Sequence, residues 1–350
     1  MNKEYHIIGL MSGTSLDGLD IVKCKFSWKN SWEFNLEYSE TMEYSNYWIK
    51  KLGNLHQRTE EEIENCNKEF GKYLGKCVVR FLDKNQTKTD YISSHGHTIF
   101  HNPENNYTLQ IGDGKIISNL TKITTINNFR QLDVELGGQG APLVPIGDLE
   151  LFSNYKYCLN LGGFANISEK TSKNDIIAFD ICAVNFVLNN LSSQIGKSYD
   201  KGGVISRKGE IDVELFKELN SLDFLKEVHP KSLGREWVEE FIYPILQRNT
   251  SSIENKLSTF VEHIAYQIGK HLKDGEAIIT GGGAFNSFLI ERIENYSNSK
   301  IIIPKKEIID FKEAIIFAFL GVLKLEDKTN CLSSVTGAKR DCSGGDIYIK

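Results

Sequence analysis

The chain has 350 residues, of which 40% are hydrophobic and 25% are charged, and its net charge is -5 at pH 7. This composition is typical of a globular enzyme and excludes a disordered or collagen-like chain. The negative net charge provides no basic field for nucleic acid, so nucleic acid is not expected as a partner. A chain of this length exceeds the size at which a single core usually stops growing, which predicts two domains.

The cysteines and the N-terminal segment bear on the compartment. Seven cysteines are scattered along the chain without a C-x-x-C pair, which indicates neither a disulfide framework nor a zinc ribbon. The apolar stretch that begins at Ile7 is short and is broken by Gly9, so it suits neither a signal-peptide core nor a membrane span. We therefore expect a cytoplasmic protein with no membrane partner.

The first half of the chain predicts a sheet covered by a helix. Residues 6–11, 19–26 and 32–44 are rich in apolar and aromatic residues and are bounded by turn formers, which predicts three strands. Apolar residues recur at helical spacing over 59–83, which predicts a helix on one face of that sheet. A short strand is predicted at 91–93. The Gly- and Pro-rich region that follows, up to Pro145, suits a cleft more than a core.

The second half repeats this pattern. A strand over 157–161, a turn at Gly162 and Gly163, and a returning strand over 164–167 repeat the opening, which indicates a duplicated fold. Later, a buried strand over 277–280 leads into Gly281, Gly282 and Gly283 and then a helix, an arrangement that admits a nucleotide to the backbone. We predict two sheet-and-helix lobes around a nucleotide cleft, with residues 1–128 and about 329–350 in the first lobe and 129–328 in the second.

The first candidate ligand loop reads GLMSGTSLDGLD from Gly9 to Asp20. Its glycines and hydroxyls can present donors to phosphate groups, and its two carboxylates can hold a hydrated magnesium ion. It contains neither the P-loop nor the G-x-G-x-x-G pattern. The alternative is an ordinary hairpin with a turn at Asp17 and Gly18.

Two further segments carry polar side chains close together. His95, His97 and His101 predict hydrogen-bonding groups in the cleft, with a zinc site as the alternative. Arg130 and Asp133 precede a glycine-rich loop, a combination that suits a clamp for a sugar or a carboxylate. The alternative for the second segment is a surface Arg–Asp pair.

Asp180 is the candidate catalytic carboxylate. It follows an apolar strand over 176–179, and Asn185 lies five residues later at the predicted start of a helix. A carboxylate at the C-terminal end of a buried strand points into the crevice where open α/β sheets bind ligands. The alternative is that Asp180 is a helix N-cap.

Taken together, these segments resemble the anhydro-N-acetylmuramic acid kinase family, and the match is spread over nearly the whole chain. The matching segments include GLMSGTSLDGLD, FRQLD, GGQGAPLVP, NLGGFANIS, YDKGG, TGGGAFN, EAIIFAFLG and SVTGA. The resemblance implies an α/β fold of two RNase H-like lobes, as in actin, hexokinase and Hsp70, with ATP and Mg²⁺ in the cleft. It also implies a sugar kinase of cell-wall recycling, in which water opens the 1,6-anhydro ring while the 6-oxygen receives the γ-phosphoryl group.

The resemblance also implies residue roles. Asp180 would be the base that activates water, and Asp17 would contact Mg²⁺. The predicted substrate-binding residues are His95, Arg130, Asp133, Gln139 and Asn185. The predicted ATP-binding residues are Gly13, Thr14, Ser15, Leu16, Asp17, Gly18, Leu19, Asp20, Gly162, Gly163, Gly281, Gly282, Gly283 and Asn286.

Three departures from the family pattern concern the sugar site and its surroundings. Residues 181–184 replace the usual Gly-Pro, His97 stands where Gln is common, and Glu135 replaces a small residue. A homodimer is a further expectation. The competing functions are a nonenzymatic actin-like ATP-binding module, a zinc hydrolase on the three histidines, and a kinase for another anhydro-sugar.

Overall fold

The computed structural model describes residues 3–171 and 175–350. The chain forms two compact units, Met1–Leu151 with Phe311–Lys350 and Phe152–Asp310. These boundaries differ from the predicted ones, which assigned 129–151 and 311–328 to the second lobe. Both segments belong to the first unit, where a buried ion pair of 2.6 Å joins Lys312 to Asp148.

The first unit begins with three strands and contains most of its secondary structure before residue 152. Its elements in chain order are β1 (Lys3–Ser12), β2 (Gly18–Trp28), β3 (Trp32–Glu43), α1 (Asn46–Gly53), α2 (Glu60–Lys84), β4 (Tyr91–Asn102), β5 (Tyr107–Ile111), α3 (Gly114–Thr121), β6 (Thr124–Asn127), α4 (Gln131–Glu135) and α5 (Val144–Leu151).

The second unit follows with a similar opening of three strands. Its elements are β7 (Tyr157–Leu161), β8 (Phe164–Lys170), β9 (Ile176–Ala183), α6 (Asn185–Ser193), α7 (Val213–Asn220), α8 (Arg235–Trp237), α9 (Tyr243–Arg248), α10 (Ile253–Gly269), β10 (Glu276–Thr280), α11 (Ser287–Tyr296) and β11 (Lys300–Ile302). The chain then returns to the first unit through α12 (Lys306–Leu325), α13 (Ser333–Thr336) and β12 (Asp346–Tyr348).

The two sheets share one strand order. In the first sheet, β1, β2 and β3 form an antiparallel meander, and β4 and then β6 lie parallel on the other side of β1. In the second sheet, β7, β8 and β9 form the meander, and β10 and then β11 are parallel to β7. The first sheet adds β5 and β12. The predicted duplicated α/β fold is confirmed by this shared topology.

Helix α2 follows from its sequence. The Thr59 side chain accepts from the Glu62 N–H, and the Glu62 carboxylate accepts from the Thr59 N–H, so a capping box starts the helix. Its buried residues recur at helical spacing and pack in the core of the first unit: Ile63, Cys66, Phe70, Leu74, Val78 and Phe81. The predicted helix over 59–83 is confirmed, with Thr59 as its cap.

Helix α12 packs closely against the first sheet because glycines allow it. A Cβ at Gly9 would collide with the Ala314 carbonyl oxygen, and one at Gly321 would lie 2.7 Å from Ser93 Cβ. The Ser93 hydroxyl donates to the Phe317 carbonyl at 2.5 Å. This packing fixes α12 in the first unit and explains why the predicted boundary at 328 was misplaced.

The region after residue 93 is more regular than predicted. Strand β4 continues to Asn102, and β5, α3 and β6 follow before Arg130. The glycines suggested a cleft, but Gly96 serves close packing: it has a φ of 75°, and its Cβ would collide with the Ile111 carbonyl on β5. Within the described residues, no helix is both long and apolar enough to cross a membrane.

Candidate active site

The loop between β1 and β2 is exposed at the residues that carry its hydroxyl groups. Thr14, Ser15 and Asp17 are exposed, and the Ser15 hydroxyl donates to Asp17 Oδ1 at 2.8 Å. Leu16 adopts a φ of 59° and donates its N–H to the Gly13 carbonyl at 3.3 Å. The loop therefore offers hydroxyls and a carboxylate to solvent, as a phosphate- and metal-binding loop requires.

The last three predicted loop residues belong to strand β2. Leu19 is 1% exposed and packs in the core. A Cβ at Gly18 would lie 2.8 Å from the Met42 carbonyl oxygen, and Asp20 accepts from the Thr41 hydroxyl at 2.6 Å. Gly18 and Leu19 therefore build the strand pair, and the part of the segment that lies between the two strands is residues 13–17.

Asp17 suits a magnesium ion. Mg²⁺ is commonly held by one or two carboxylates together with substrate phosphates and water. The Asp17 side chain is exposed and its Oδ1 is oriented by Ser15. This donor set fits the ion that the resemblance implied.

Arg130 is held by neighbouring groups of the first unit. Its Nε and Nη2 donate to His95 Nε2 at 3.1 and 3.0 Å, and its Nη1 donates to the Gly140 carbonyl at 2.7 Å. The guanidinium carbon lies 5.8 Å from the centroid of the Phe317 ring. These contacts leave further N–H groups of the planar fork for a ligand.

Burial sets the charge states of this pair. Desolvation and the nearby Arg130 cation hold the pKa of His95 well below its usual range. His95 is therefore neutral at pH 7. Since its Nε2 accepts from Arg130, its Nδ1 carries the proton and donates to the Gly96 carbonyl at 3.1 Å. Burial also lowers the pKa of Arg130 to about 10, so Arg130 keeps its charge at neutral pH.

Glu313 on α12 is a neighbour of Arg130 that the sequence reasoning did not assign. Its side chain reaches solvent, yet desolvation raises the pKa of its carboxyl, while Arg130 and Lys312 lower it. In turn, Glu313 favours the charged form of Arg130. The signal was available, because Glu313 opens the EAIIFAFLG segment that was matched without a role.

Asp133 is a buried organiser of the glycine-rich loop. It is 0% exposed, its Oδ2 accepts from the Gly140 N–H at 2.7 Å, and its Oδ1 accepts from the Thr336 hydroxyl at 2.7 Å. A Cβ at Gly138 would collide with Asp133 Oδ2. Asp133 is therefore neither a surface partner of Arg130 nor exposed to a sugar; it positions the loop whose Gly140 holds Arg130.

Gln139 is an exposed residue of that loop. Its side chain reaches solvent, while its N–H donates to the Thr336 carbonyl at 2.8 Å. The SVTGA segment, matched in the sequence without a role, thus supports the loop through two contacts of Thr336.

The three histidines, for which a zinc site was the alternative, engage different partners. His95 accepts from Arg130, His97 Nδ1 lies 2.8 Å from Ser12 Oγ, and His101 Nδ1 lies 3.1 Å from Thr108 Oγ1. The Ser12 hydroxyl also accepts from Tyr44 at 2.6 Å. The geometry favours the hydrogen-bonding interpretation of these histidines over the zinc site.

Asp180 lies within β9, three residues before the strand ends at Ala183. Val184 occupies the N-cap position of α6, so the alternative that Asp180 caps this helix is wrong. The Asp180 Oδ2 accepts from the Leu233 N–H at 2.8 Å and from the Ser232 hydroxyl at 3.2 Å. The Asp180 N–H donates to the Lys231 carbonyl at 3.1 Å, which fixes the 231–233 segment beside the strand.

The environment of Asp180 makes its carboxylate more basic. Burial raises its pKa, and the two hydrogen bonds from Leu233 and Ser232 lower it in part. A general base works best when its pKa lies closer to the operating pH than that of an exposed aspartate. Ser232 and Leu233 carried no sequence signal, because they lie 52 and 53 residues away along the chain.

Asn185 closes the first glycine turn of the second unit. Its Nδ2 donates to the Leu161 carbonyl at 3.0 Å, and its N–H donates to the Gly162 carbonyl at 3.2 Å. The Gly163 carbonyl accepts from the Val184 N–H at 2.8 Å. Asn185 therefore positions the turn through both its side-chain amide and its backbone N–H.

The second glycine turn of this unit requires glycine at two places. Gly281 has a φ of 80°, and a Cβ there would lie 2.6 Å from Asn160 Oδ1. A Cβ at Gly283 would lie 2.6 Å from Leu161 Cβ. Asn286 caps α11 by accepting from the Leu289 N–H at 3.1 Å. The ends of β7 and β10 thus bring Gly162, Asn185 and Gly281 together.

Comparison with known proteins agrees with these features. The sequence model of the family "Anhydro-N-acetylmuramic acid kinase" matches residues 5–350. The anhydro-N-acetylmuramic acid kinase of Pasteurella multocida (strain Pm70) is 31% identical and covers 99% of this chain and 97% of its own. That of Shewanella oneidensis is 34% identical and covers 99% of both chains.

A solved structure also aligns along most of the chain. The activator of the 2-hydroxyisocaproyl-CoA dehydratase from Clostridium difficile with bound ADPNP covers 92% of this chain and 97% of its own, at 13% identity and a TM-score of 0.41. A likeness at this level carries no argument about function.

Family similarity over the whole length defines the chain as an ATP-dependent sugar kinase. The chain belongs to the anhydro-N-acetylmuramic acid kinase family.

Proposed function

We propose that this protein uses ATP to convert 1,6-anhydro-N-acetylmuramic acid to N-acetylmuramic acid 6-phosphate and ADP, with Asp180 as the general base. Water adds to C1, the C1–O6 bond breaks, and O6 forms a bond to the γ-phosphorus as ADP leaves. One proton of the water passes to Asp180. The half-buried, hydrogen-bonded carboxylate of Asp180 is the observation that carries the proposal.

Asp180 suits this role in orientation as well as basicity. Both of its side-chain hydrogen bonds described above are accepted by Oδ2, so we assign Oδ1 as the oxygen that accepts the proton. The donors on Oδ2 hold the carboxylate in one orientation, which a positioned base requires.

Arg130 is our candidate for the acceptor's carboxylate. The lactyl group of the sugar is anionic, and the planar fork of arginine binds carboxylates through paired hydrogen bonds. His95 and Gly140 orient the guanidinium while leaving N–H groups for a ligand. Gln139 is exposed on the loop that carries Gly140, and we propose that it contacts the sugar directly. His95 would act on sugar binding indirectly, by orienting Arg130.

For ATP, we propose that the exposed loop 13–17 and the glycine turns at 162–163 and 281–283 contact the nucleotide. Thr14 and Ser15 offer hydroxyls, and the glycines allow close approach of the backbone. Asp17 would hold Mg²⁺, which neutralises phosphate charge when bound. A cytoplasmic location and a homodimer remain predictions; the seven free thiols suit a reducing compartment.

A phosphoryl-transfer assay with ATP and a panel of anhydro-sugars tests the proposal. We expect ADP release that requires 1,6-anhydro-N-acetylmuramic acid, with the phosphate found on O6. Preference for an anhydro-sugar without the lactyl group would contradict the assigned substrate. ATP binding without sugar-dependent turnover would favour the nonenzymatic ATP-binding module.

A further inference from the structure

Two cysteines face each other next to Asp133, the residue that positions the glycine-rich loop. Cys331 and Cys342 form an isolated antiparallel bridge, in which each N–H donates to the other's carbonyl at 3.1 Å. Residues paired in this way have Cα atoms about 5.5 Å apart, a separation within the range of disulfides. Both are free thiols, and they are 1% and 4% exposed.

The two thiols differ in their hydrogen bonding. Cys331 Sγ donates to Asp133 Oδ1 at 3.1 Å, and ligand atoms of Cys331, Cys342 and Asp133 all lie within 4.8 Å of one another. The contact with Cys331 holds the pKa of Cys342 below its usual range against the effect of burial, while the contact with Cys342, burial and the Asp133 carboxylate raise the pKa of Cys331. Cys342 is therefore the thiol that ionises first, and it directly follows the exposed residues 339–341.

The thiol pair is connected to Arg130 by two hydrogen bonds. Asp133 accepts from Cys331 on one oxygen and from the Gly140 N–H on the other. The Gly140 carbonyl in turn accepts from Arg130 Nη1. Loss of the thiol proton that Cys331 donates therefore acts on Asp133, which positions Gly140 of the glycine-rich loop. Gly140 in turn holds Arg130.

We propose that Cys331 and Cys342 are a reversible redox modification site that forms a disulfide and thereby weakens sugar binding by Arg130. With hydrogen peroxide as oxidant, the Cys342 thiolate attacks one peroxide oxygen, the O–O bond breaks, and a sulfenic acid and hydroxide form. Cys331 then attacks the Cys342 sulfur, and hydroxide leaves to form water with the thiol proton. Two thiols are oxidised and one peroxide is reduced to two waters.

A zinc ion is the other chemistry that two thiols and a carboxylate could serve. Structural zinc is almost always held by four protein ligands. The cluster found among the described residues has three, and its Asp133 oxygens already accept from Thr336 and Gly140. The geometry therefore favours the disulfide, and bound zinc is an outcome that the test includes.

Peptide mapping tests the site without reference to activity. Trypsin cleaves after Lys328, Lys339 and Arg340, which separates Cys331 and Cys342 into different peptides. After peroxide treatment of the folded protein and alkylation of free thiols, we expect peptides 329–339 and 341–350 to be joined, and to separate on treatment with dithiothreitol. Unlinked peptides after treatment, or zinc bound in stoichiometric amount and lost in Cys342→Ser, would overturn the proposal.

The kinetic test rests on the proposed role of Arg130, while the mapping does not. Oxidised protein should show a KM for the anhydro-sugar raised about tenfold, since a hydrogen bond to a charged group is lost, with the KM for ATP little changed. Dithiothreitol should restore it. Cys342→Ser should lose the response, and Cys66→Ala, which removes another buried cysteine of the first unit, should keep it. Linked peptides with an unchanged sugar KM would refute the coupling to Arg130.

Discussion

The two units share one sheet topology but end their first strands differently. In the first, the five-residue loop 13–17 after β1 exposes Thr14, Ser15 and Asp17. In the second, the turn after β7 is two glycines long, and Asn185 and Val184 close it from the start of α6. The two sheets of one topology therefore carry two different turns. The loop 13–17 exposes polar side chains, whereas the turn at 162–163 is hydrogen-bonded to residues of its own unit.

The proposed chemical groups are divided in the same way. The first unit holds a cation, Arg130, through side-chain and carbonyl contacts. The second holds a carboxylate, Asp180, through two bonds from the 231–233 segment. The comparison teaches that sheets of one topology carry different reactive groups at different places: Arg130 lies in the segment that follows β6, whereas Asp180 lies within strand β9. Substitutions in each unit should therefore have separable effects on turnover, sugar binding and ATP binding.

The largest effect is expected at Asp180. Asp180→Asn keeps the shape of the side chain but removes its basicity, so turnover should fall by about 10²- to 10⁴-fold. Affinity for ATP should change little, since the substitution lies outside the glycine turns. Steady-state kinetics with 1,6-anhydro-N-acetylmuramic acid and ATP measure both, and near-normal turnover would remove Asp180 from the base role.

Stability provides the control for Asp180→Asn. Because burial raises the pKa of Asp180 in the folded state, its favourable contribution is full below the unfolded pKa and is lost as pH rises through the folded pKa. At neutral pH the ionised group therefore costs stability, and the neutral Asn should unfold at the same temperature or higher. A large loss of stability would mean that any fall in turnover reports misfolding.

Arg130→Lys should weaken sugar binding and leave ATP binding nearly unchanged. Lysine keeps the charge but lacks the fork that contacts His95 and Gly140. Loss of a hydrogen bond to a charged group costs about 1.5–3 kcal/mol, which corresponds to about a 10- to 100-fold higher KM for the sugar. The KM for ATP should stay near that of the unmodified chain. Equal increases in both constants would assign Arg130 to the nucleotide.

Gly281→Ala should damage the second glycine turn, and Gly196→Ala is its matched control. Both glycines have positive φ, 80° and 72°, but only the first would place a Cβ against neighbouring atoms, whereas Gly196 has open space. Each substitution carries a backbone cost of about 1–3 kcal/mol because φ is positive, and Gly281→Ala adds about 1–3 kcal/mol for overpacking. Chemical denaturation should show this difference, and equal losses would contradict the close packing.

The pH dependence sharpens the assignment of Asp180 further. Turnover should fall as pH drops through the raised pKa of Asp180, because the protonated form cannot act as a base. The Ser232 hydroxyl lowers this pKa by its hydrogen bond, so Ser232→Ala should move the acid limb of the rate profile to higher pH. An unmoved acid limb in this variant would mean that another group controls it.

The sequence allowed prediction of the repeated architecture because strands and glycine turns are local patterns. It also identified Arg130 and Asp180 as notable residues. It could not show that Asp133 is buried, since its partners Thr336 and Cys331 are about 200 residues away. The N-cap alternative at Asp180 is wrong for a different reason. Strand β9 runs to Ala183, and residues 181–184 include no turn-forming or capping residue that would mark the end of the strand.

The domain boundary was misplaced by a related kind of long-range packing. Helix α12 is apolar through most of its length and follows the second sheet in sequence, yet its glycine and alanine contacts lie on the first sheet. Close approach at Gly9 and Gly321 is a tertiary property that hydrophobic periodicity does not contain. The family resemblance suggested residue roles. The hydrogen-bond and packing partners of those residues could be identified only from the folded structure.

The smallest effect is expected at Ser15, and it tests the open loop of the first unit. The Ser15 hydroxyl is exposed and donates to Asp17 Oδ1, so Ser15→Ala removes an orienting bond and a potential phosphate donor. Since a single hydrogen bond is worth about 0.5–1.5 kcal/mol, the KM for ATP should rise about two- to tenfold. The free energy of unfolding should stay within about 0.5 kcal/mol, as for other surface substitutions. Ser193→Ala, at an exposed serine of the second unit, should change neither quantity.

A Mg²⁺ titration should show a higher requirement in Ser15→Ala alone, because the bond that orients Asp17 is lost; identical Mg²⁺ curves for the two variants would remove Asp17 from the proposed metal site.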